Sequence, residues 1–193
     1  TSWFLSSFIW QAGGDYMKPA AGGYKPALAT SGAADAVKFM RGLICNKLTQ
    51  PGAINATTAD ALPSFRSGQT GMFFSGPYHI ALFDKEPGKD VIEVVAPPAG
   101  PKGVATLVEG TAMYLVKTAK SKAEARQFAE FMISQEAQEI GMRAGTHQPI
   151  VRLSVNKKVN VKEVYQDERW ALFADLYAKS GRLSQQLGYH IGK

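Results

Sequence analysis

Residues 65–78, FRSGQTGMFFSGPY, constrain this chain more than any other stretch. Residues 62–66 read as the end of a helix, Ser67-Gly68 as a turn, and Met72-Phe73-Phe74 as a short buried strand. Ser75-Gly76 turns again, and Pro77 opens another helix, where its missing N–H costs nothing. A buried strand feeding a glycine turn and a helix start exposes backbone N–H groups at a sheet end, which suits ligand capture. Tyr78, beside that turn, offers a flat apolar face and one hydroxyl. Two readings stay open on these residues alone: an ordinary βα turn with a half-buried tyrosine, or a ligand platform.

The flanking chain alternates helical and extended patterns. Residues 1–12 place Trp3, Phe4, Leu5, Phe8 and Ile9 at helical spacing, with Thr1 as a cap and Gly13 as a stop. Trp3 and Trp10 fall on one face of that helix, as core anchors or as a stacking surface. Gly13-Gly14-Asp15 and Gly22-Gly23 bracket a predicted loop. A second helix from Ser31 carries the stripe Ala34, Val37, Phe39, Met40, Leu43, Ile44 and Leu48 and is expected to end near Pro51-Gly52. Residues 58–66 are expected to form a third. Residues 78–83 continue the helix that Pro77 opens, closing at Glu86-Pro87-Gly88.

VIEVVA, residues 91–96, is dense in β-branched residues and predicts a buried strand. Residues 97–103, PPAGPKG, predict a stiff linker and a crossing between lobes. Residues 107–110 and 112–116 predict a strand broken at glycine. Ser121-Lys122-Ala123-Glu124 reads as a capping box opening a helix with Phe128 and Phe131 on its apolar face. Ser134 opens another, stopping at Gly145; residues 146–150 turn into an extended piece, and helices follow near 161–165 and 167–179.

Composition bounds the function classes. At 193 residues the chain can bury one real core, and 45% hydrophobic with 20% charged residues is globular usage. No apolar run is long enough to span a bilayer. The opening Thr1-Ser2-Trp3 has no methionine, basic n-region or cleavage signature, so a cut inside a larger protein is expected. The net charge of +6 comes from scattered cations, loosely gathered at residues 117–126 and 152–162, without nucleic-acid-binding motif spacing. A solvated, mildly basic surface accounts for it. The rival reading is a basic module binding nucleic acid or an acidic surface through those two stretches.

The single cysteine, Cys45, lies in an apolar helical stretch and is expected to be a buried small hydrophobe. The three histidines are too far apart for metal-ligand spacing. No nucleophile elbow, zinc-protease motif, P-loop or dinucleotide fingerprint is present. The chain therefore reads as non-catalytic, with no cofactor and no metal. Glu109, between Val108 and Gly110, is either an exposed loop acid or a hydrogen-bond acceptor in a site.

Taken in order, these pieces resemble the C-terminal half of the extracellular solute-binding proteins of ABC importers, nearest to the maltose-binding-protein-like sugar-binding group. The carriers are the aromatic helix running into Gly13-Gly14-Asp15, Phe65-x-x-Gly68-x-x-x-Met72-x-x-Ser75-Gly76-Pro77-Tyr78, residues 97–103, Glu109-Gly110, and Ser121-Lys122 followed by Ala125, Phe128 and Phe131. Gly145-x-x-x-Pro149 completes the series over roughly residues 1–180.

The resemblance implies an α/β, type II periplasmic-binding-protein-like lobe, mainly the second lobe with part of the hinge and first-lobe elements. Residues 1–103 would be the second-lobe α/β region, 104–150 a strand-helix segment packing with the first lobe, and 151–193 a helical return. It implies capture of a small solute, a sugar first, in an interlobe cleft, with a membrane permease as partner and no nucleic acid. The location would be periplasmic or extracellular and membrane-anchored.

The implied ligand-binding set is Trp3, Trp10, Ser75, Gly76, Tyr78, Glu109 and Gly110. Trp3 stands where the family stacks an aromatic on a sugar, and Tyr78 where it usually has tryptophan. Glu109 replaces the first glycine of a pair lining the cleft. Without its first-lobe partner, residues 107–150 would expose an apolar face and self-associate.

Overall fold

The computed structural model describes residues 2–144 and 151–183. The chain folds as two compact units, one of Thr1–Phe74, Val95–Glu109 and Leu176–Lys193, the other of Ser75–Val94 and Gly110–Asp175. Both mix helix with irregular or extended chain.

In the first unit, α1 (Ser2–Gln11) follows the aromatic spacing, and Gly13 ends it at φ +84°, a conformation that a side chain strains. Ile9, 1% exposed, packs on Ala33 and Ala36 of α2 (Ser31–Cys45), with Leu5, Phe8, Ala12 and Tyr16 around them. The α1 C-terminus and the α2 N-terminus meet backbone to backbone. A Cβ on Gly32 would stand 2.8 Å from the Ala12 carbonyl oxygen, and one on Gly14 would stand 2.7 Å from the Ala33 nitrogen. Gly32→Ala is therefore expected to cost about 1–3 kcal/mol by prising the helices apart. An unchanged denaturant midpoint in this variant would show that the crossing is not tight.

The face that α2 buries is not the predicted one. Gly32, Ala33 and Ala36 go inward, whereas Val37, Phe39, Ile44 and Cys45 are exposed. Small residues win because the close approach to α1 has no room for large ones. Cys45 is thus not the buried hydrophobe that its neighbours suggested.

The predicted loop between the glycine pairs is a hairpin, with β1 (Met17–Ala20) antiparallel to β2 (Gly23–Pro26) and Ala20 opposite Gly23. Pro19 and Pro26 sit in this two-stranded ribbon, where no third strand among the described residues needs their missing N–H. Then α3 (Thr58–Arg66) starts as expected. The Asp60 carboxylate accepts the Thr57 N–H at 2.8 Å, and that bond holds it below the usual carboxylate range.

Residues 72–74 are not a strand. Phe73 stacks on Phe65 of α3 at 5.5 Å, and Phe74 meets Phe4 and Phe8 of α1 at 5.4 and 5.6 Å, while Met72 is 87% exposed. Aromatic contacts to two helices fix this run instead of a ladder.

Residues 97–103 do not cross free between units; they are fastened to the end of α1. Lys102 donates its N–H to the Gln11 carbonyl at 2.8 Å, and Gln11 Nε2 donates to the Ala105 carbonyl at 3.2 Å. This delivers β3 (Thr106–Val108), parallel to β4 (Gly181–Leu183) with Leu107 opposite Arg182. Only the first part of the strand predicted over 107–116 forms. Residues 91–96 and 112–116 have no ladder partner among the described residues, and β-branched content without one does not make a strand.

In the second unit, Pro77–His79 makes one 3-10 turn into α4 (Ile80–Phe83). Helices α5 (Lys122–Met132) and α6 (Gln135–Arg143) follow, but Ser121 makes no side-chain cap; its ψ of 64° is not the extended cap conformation. Ser134 does cap α6, accepting the Ala137 N–H at 3.2 Å. Gln138, 6% exposed, accepts the Val155 N–H at 3.0 Å and donates to the Met132 carbonyl at 2.7 Å, pinning residue 155 to α6. Next come α7 (Val161–Tyr165) and α8 (Glu168–Ser180), of which the residues up to Asp175 belong to this unit, with Tyr165 stacked on Trp170 at 4.1 Å.

Candidate functional site

The site builds from the Ser75-Gly76-Pro77-Tyr78-His79 turn of the second unit. Gly76 is extended (φ −126°, ψ 178°), so its need for glycine is not conformational. It is steric: a Cβ there would stand 2.5 Å from Cε1 of the Tyr78 ring. The absent side chain lets Tyr78 lie back against the turn while 38% exposed. His79 meets that ring edge-on at 4.6 Å and Phe83 at 5.4 Å.

Ser75 Oγ and His79 Nδ1 are 2.6 Å apart. Burial pushes the His79 imidazole below its ordinary value, so the ring is neutral at pH 7. Serine and histidine four residues apart are a spacing that the sequence displays, and it was the available signal for this pair. Arg152 is the other addition: its guanidinium carbon lies 5.8 Å from the Tyr78 ring centroid. No sequence signal announced it, because the two are brought together only by the fold of the second unit.

Arg152 is presented by a tightly held backbone. Val151 donates its N–H to the Gly141 carbonyl at 3.0 Å, and its own carbonyl accepts the Tyr165 hydroxyl at 2.6 Å. A Cβ on Gly141 would stand 2.5 Å from Val151 Cγ2, so glycine in α6 permits the approach. Burial pushes the Tyr165 hydroxyl well above the ordinary tyrosine range, which keeps it a donor at all ordinary pH.

The other expected residues are distributed. Trp3 is in the first turn of α1, and its side chain lies outside the described part. Trp10 is 2% exposed, donates Nε1–H to Asp15 at 3.0 Å and lies under Arg182, so its ring is packed inside the first unit and offers no stacking face. Glu109 ends a segment of the first unit and Gly110 begins one of the second, both exposed. Gly145 and Pro149 lie outside the described residues.

Two open concavities, of about 520 and 500 Å³, contain none of the expected residues. The first is lined by Asp90, Glu93, Glu168 and Arg169, and that arginine is already engaged by Asp84 and Asp167. No group of three or more metal-ligating side chains occurs among the described residues, and none of the described helices is long and apolar enough to cross a membrane. The two basic stretches spend part of their charge internally, in Arg126–Glu130 at 2.8 Å and Lys162–Asp175 at 3.2 Å.

The turn thus offers an aromatic face, a hydroxyl bonded to an imidazole, and a guanidinium. Residues 1–139 match the family model described as bacterial extracellular solute-binding protein. Three curated chains, each described as a candidate binding protein, are 29% identical to this one over 110 residues. They come from Brucella abortus strain 2308, Brucella abortus biovar 1 strain 9-941 and Brucella suis biovar 1 strain 1330. The match covers 56% of this chain and 27% of each relative, about a quarter of their length.

Proposed function

Since this chain belongs to the bacterial extracellular solute-binding proteins, we propose that it is the second-lobe portion of the substrate-binding component of an ABC importer and holds a carbohydrate. Its family binds solutes for transport and acts outside the cytoplasm. The type II lobe, the permease partner, and the periplasmic or membrane-anchored location belong to the proposal.

The observation that carries it is the Tyr78 ring, exposed on a turn whose glycine is demanded by the ring itself. A pyranose has an apolar C–H face for such a ring and hydroxyls for the nearby polar groups. Ser75, Gly76 and Tyr78 are the proposed contact residues, and Trp10, buried in the first unit, is not among them.

The test is a thermal-shift and calorimetric panel of mono- and oligosaccharides on the chain and on Tyr78→Ala. The variant is expected to bind about 1–3 kcal/mol more weakly, by analogy with other stacking contacts. Full affinity in Tyr78→Ala would remove the ring from the site, and a response to polyamines alone would change the ligand class.

A further expectation concerns residues 113–116 and α5. Tyr114 is 81% and Phe128 60% exposed, with Val116 and Phe131 also outward. An apolar surface of this kind draws a partner, and the chain is expected to self-associate. Multi-angle light scattering giving a monomer mass at high concentration would contradict this.

A further inference from the structure

The β1–β2 hairpin stands away from the packed part of the first unit. Residues 21–26 are all exposed, and a Cβ on Gly22 or Gly23 would meet nothing within 4 Å. We infer that this hairpin is a docking arm for an anionic phospholipid surface. Lys18 and Lys25 would lie at the lipid phosphates, with the Tyr24 ring and the hairpin tip at the headgroup boundary. The inference concerns where the protein attaches, and it stands apart from the sugar reading.

Charge argues for it first. The strand register sets Lys18 directly opposite Lys25, so the two ammonium-bearing chains share one face of the ribbon. Like charges placed opposite each other destabilise a strand pair. Neither lysine has an ion-pair partner among the described residues. No aspartate or glutamate occurs from Tyr16 to Ala34, and Asp15, just before, accepts from Trp10 Nε1 and from the Tyr16 N–H. The local field is therefore positive and unopposed, and an anionic surface relieves the repulsion. Each lysine held near such a surface strengthens attachment about fivefold.

Shape argues for it second. Pro19 faces Tyr24 and Ala20 faces Gly23, so the half-exposed Tyr24 lies between the lysines and the tip. At about 3.3 Å per residue, the lysine pair stands about 7 Å behind the Ala20–Gly23 pair. Interfacial segments sink by about that depth, 5–10 Å. The tip, Ala20-Ala21-Gly22-Gly23, has no charged side chain to desolvate. Tyrosine suits the boundary because its ring is apolar and its hydroxyl stays wet, while lysine stems can lie over apolar groups with their heads at the phosphates. The arm also has a fixed root. Ala27 donates its N–H to the Tyr16 carbonyl at 2.8 Å, and Tyr16 packs against the Ile9 core.

The experiment is vesicle flotation at low and at physiological salt. The probes are phosphatidylcholine vesicles with one quarter phosphatidylglycerol, and vesicles of phosphatidylcholine alone. Wild type is compared with Lys18→Gln/Lys25→Gln, with Tyr24→Ser, and with Lys157→Gln/Lys158→Gln, a control that removes the same charge from an exposed site elsewhere. Circular dichroism and a thermal melt check each fold. Wild type is expected to partition at least tenfold more strongly onto the anionic vesicles at low salt, and less so at physiological salt. The hairpin double variant should lose about tenfold or more, Tyr24→Ser should lose threefold or more, and the control should stay within twofold of wild type. Absence of vesicle binding by wild type, or equal binding to both compositions, overturns the inference. An equal loss in the control overturns it too, because the net charge of the whole chain would then account for the attraction. The hairpin variants should keep the sugar response of wild type, so this inference and the sugar reading fail separately.

Discussion

Trp10→Ala is expected to destabilise the first unit by about 3–5 kcal/mol, the range for removing a large buried aromatic. The ring is 2% exposed, sits edge-on to Tyr16 at 6.4 Å and lies beneath the Arg182 guanidinium at 5.8 Å. Its N–H serves Asp15, whose carboxylate also accepts the Tyr16 N–H at 2.8 Å, so truncation disturbs the turn after α1 as well as the core. Trp10→Phe should lose less, because it keeps most of the apolar contact and forfeits chiefly one hydrogen bond, worth about 0.5–1.5 kcal/mol. Urea melts followed by far-ultraviolet circular dichroism measure both. A loss below about 1 kcal/mol in Trp10→Ala, against the usual cavity cost, would return this tryptophan to the ligand face.

The second large effect is at Arg169, near the start of α8. Its guanidinium engages Asp84 through two nitrogens and Asp167 at 2.7 and 3.1 Å, and its N–H reaches Asp167 Oδ1 at 2.9 Å. Asp84 first and Asp167 next raise the Arg169 pKa above its already high value, so the arginine stays charged throughout. Arg169→Ala leaves two carboxylates facing each other and is expected to cost about 1–3 kcal/mol. Solvent screening on the Asp84 side sets that lower range, since surface pairs are worth little.

The same cluster gives a pH dependence. The side-chain bond from Arg169 holds the Asp167 carboxyl below the usual carboxylate range, more than burial raises it. A depressed folded pKa contributes stability that is complete above the unfolded aspartate value of about 3.9 and is lost as the pH falls through the folded one. Asp167→Asn should therefore lower the melting temperature at pH 7 and match wild type more closely near pH 3. An equal gap at both pH values would show that Asp167 acts only as a neutral cap.

Helix positions were largely legible in the chain. Residues 58–66, 161–165 and 168–180 carry their own starts, such as the Thr57–Asp60 pair, and Gly13 stops α1; the helix from Ser31 starts as expected but ends at Cys45, short of Pro51-Gly52. The strands were not. Residues 91–96 have the β-branched density of a strand and form none, whereas the proline-bearing residues 17–26 pair as a hairpin. Density of valine and isoleucine is a local property, and a ladder needs a second backbone at the right distance.

The site divides the same way. Gly76-Pro77-Tyr78 was visible because glycine, proline and an exposed aromatic act within one turn. His79 was reachable from its spacing to Ser75, and Arg152 was not, since its approach depends on Gly141 and Tyr165 holding residue 151. Sequence alone determined roughly where the helices lie and where the Tyr78 turn falls, because capping, left-handed glycine and proline geometry act over a few residues. Tertiary structure decided that Trp10 goes inward and Cys45 outward, that residues 106–108 pair with 181–183, and that Arg152 covers Tyr78. Burial, strand pairing and charge placement are set by neighbours distant in the chain, and no local pattern records who those neighbours are.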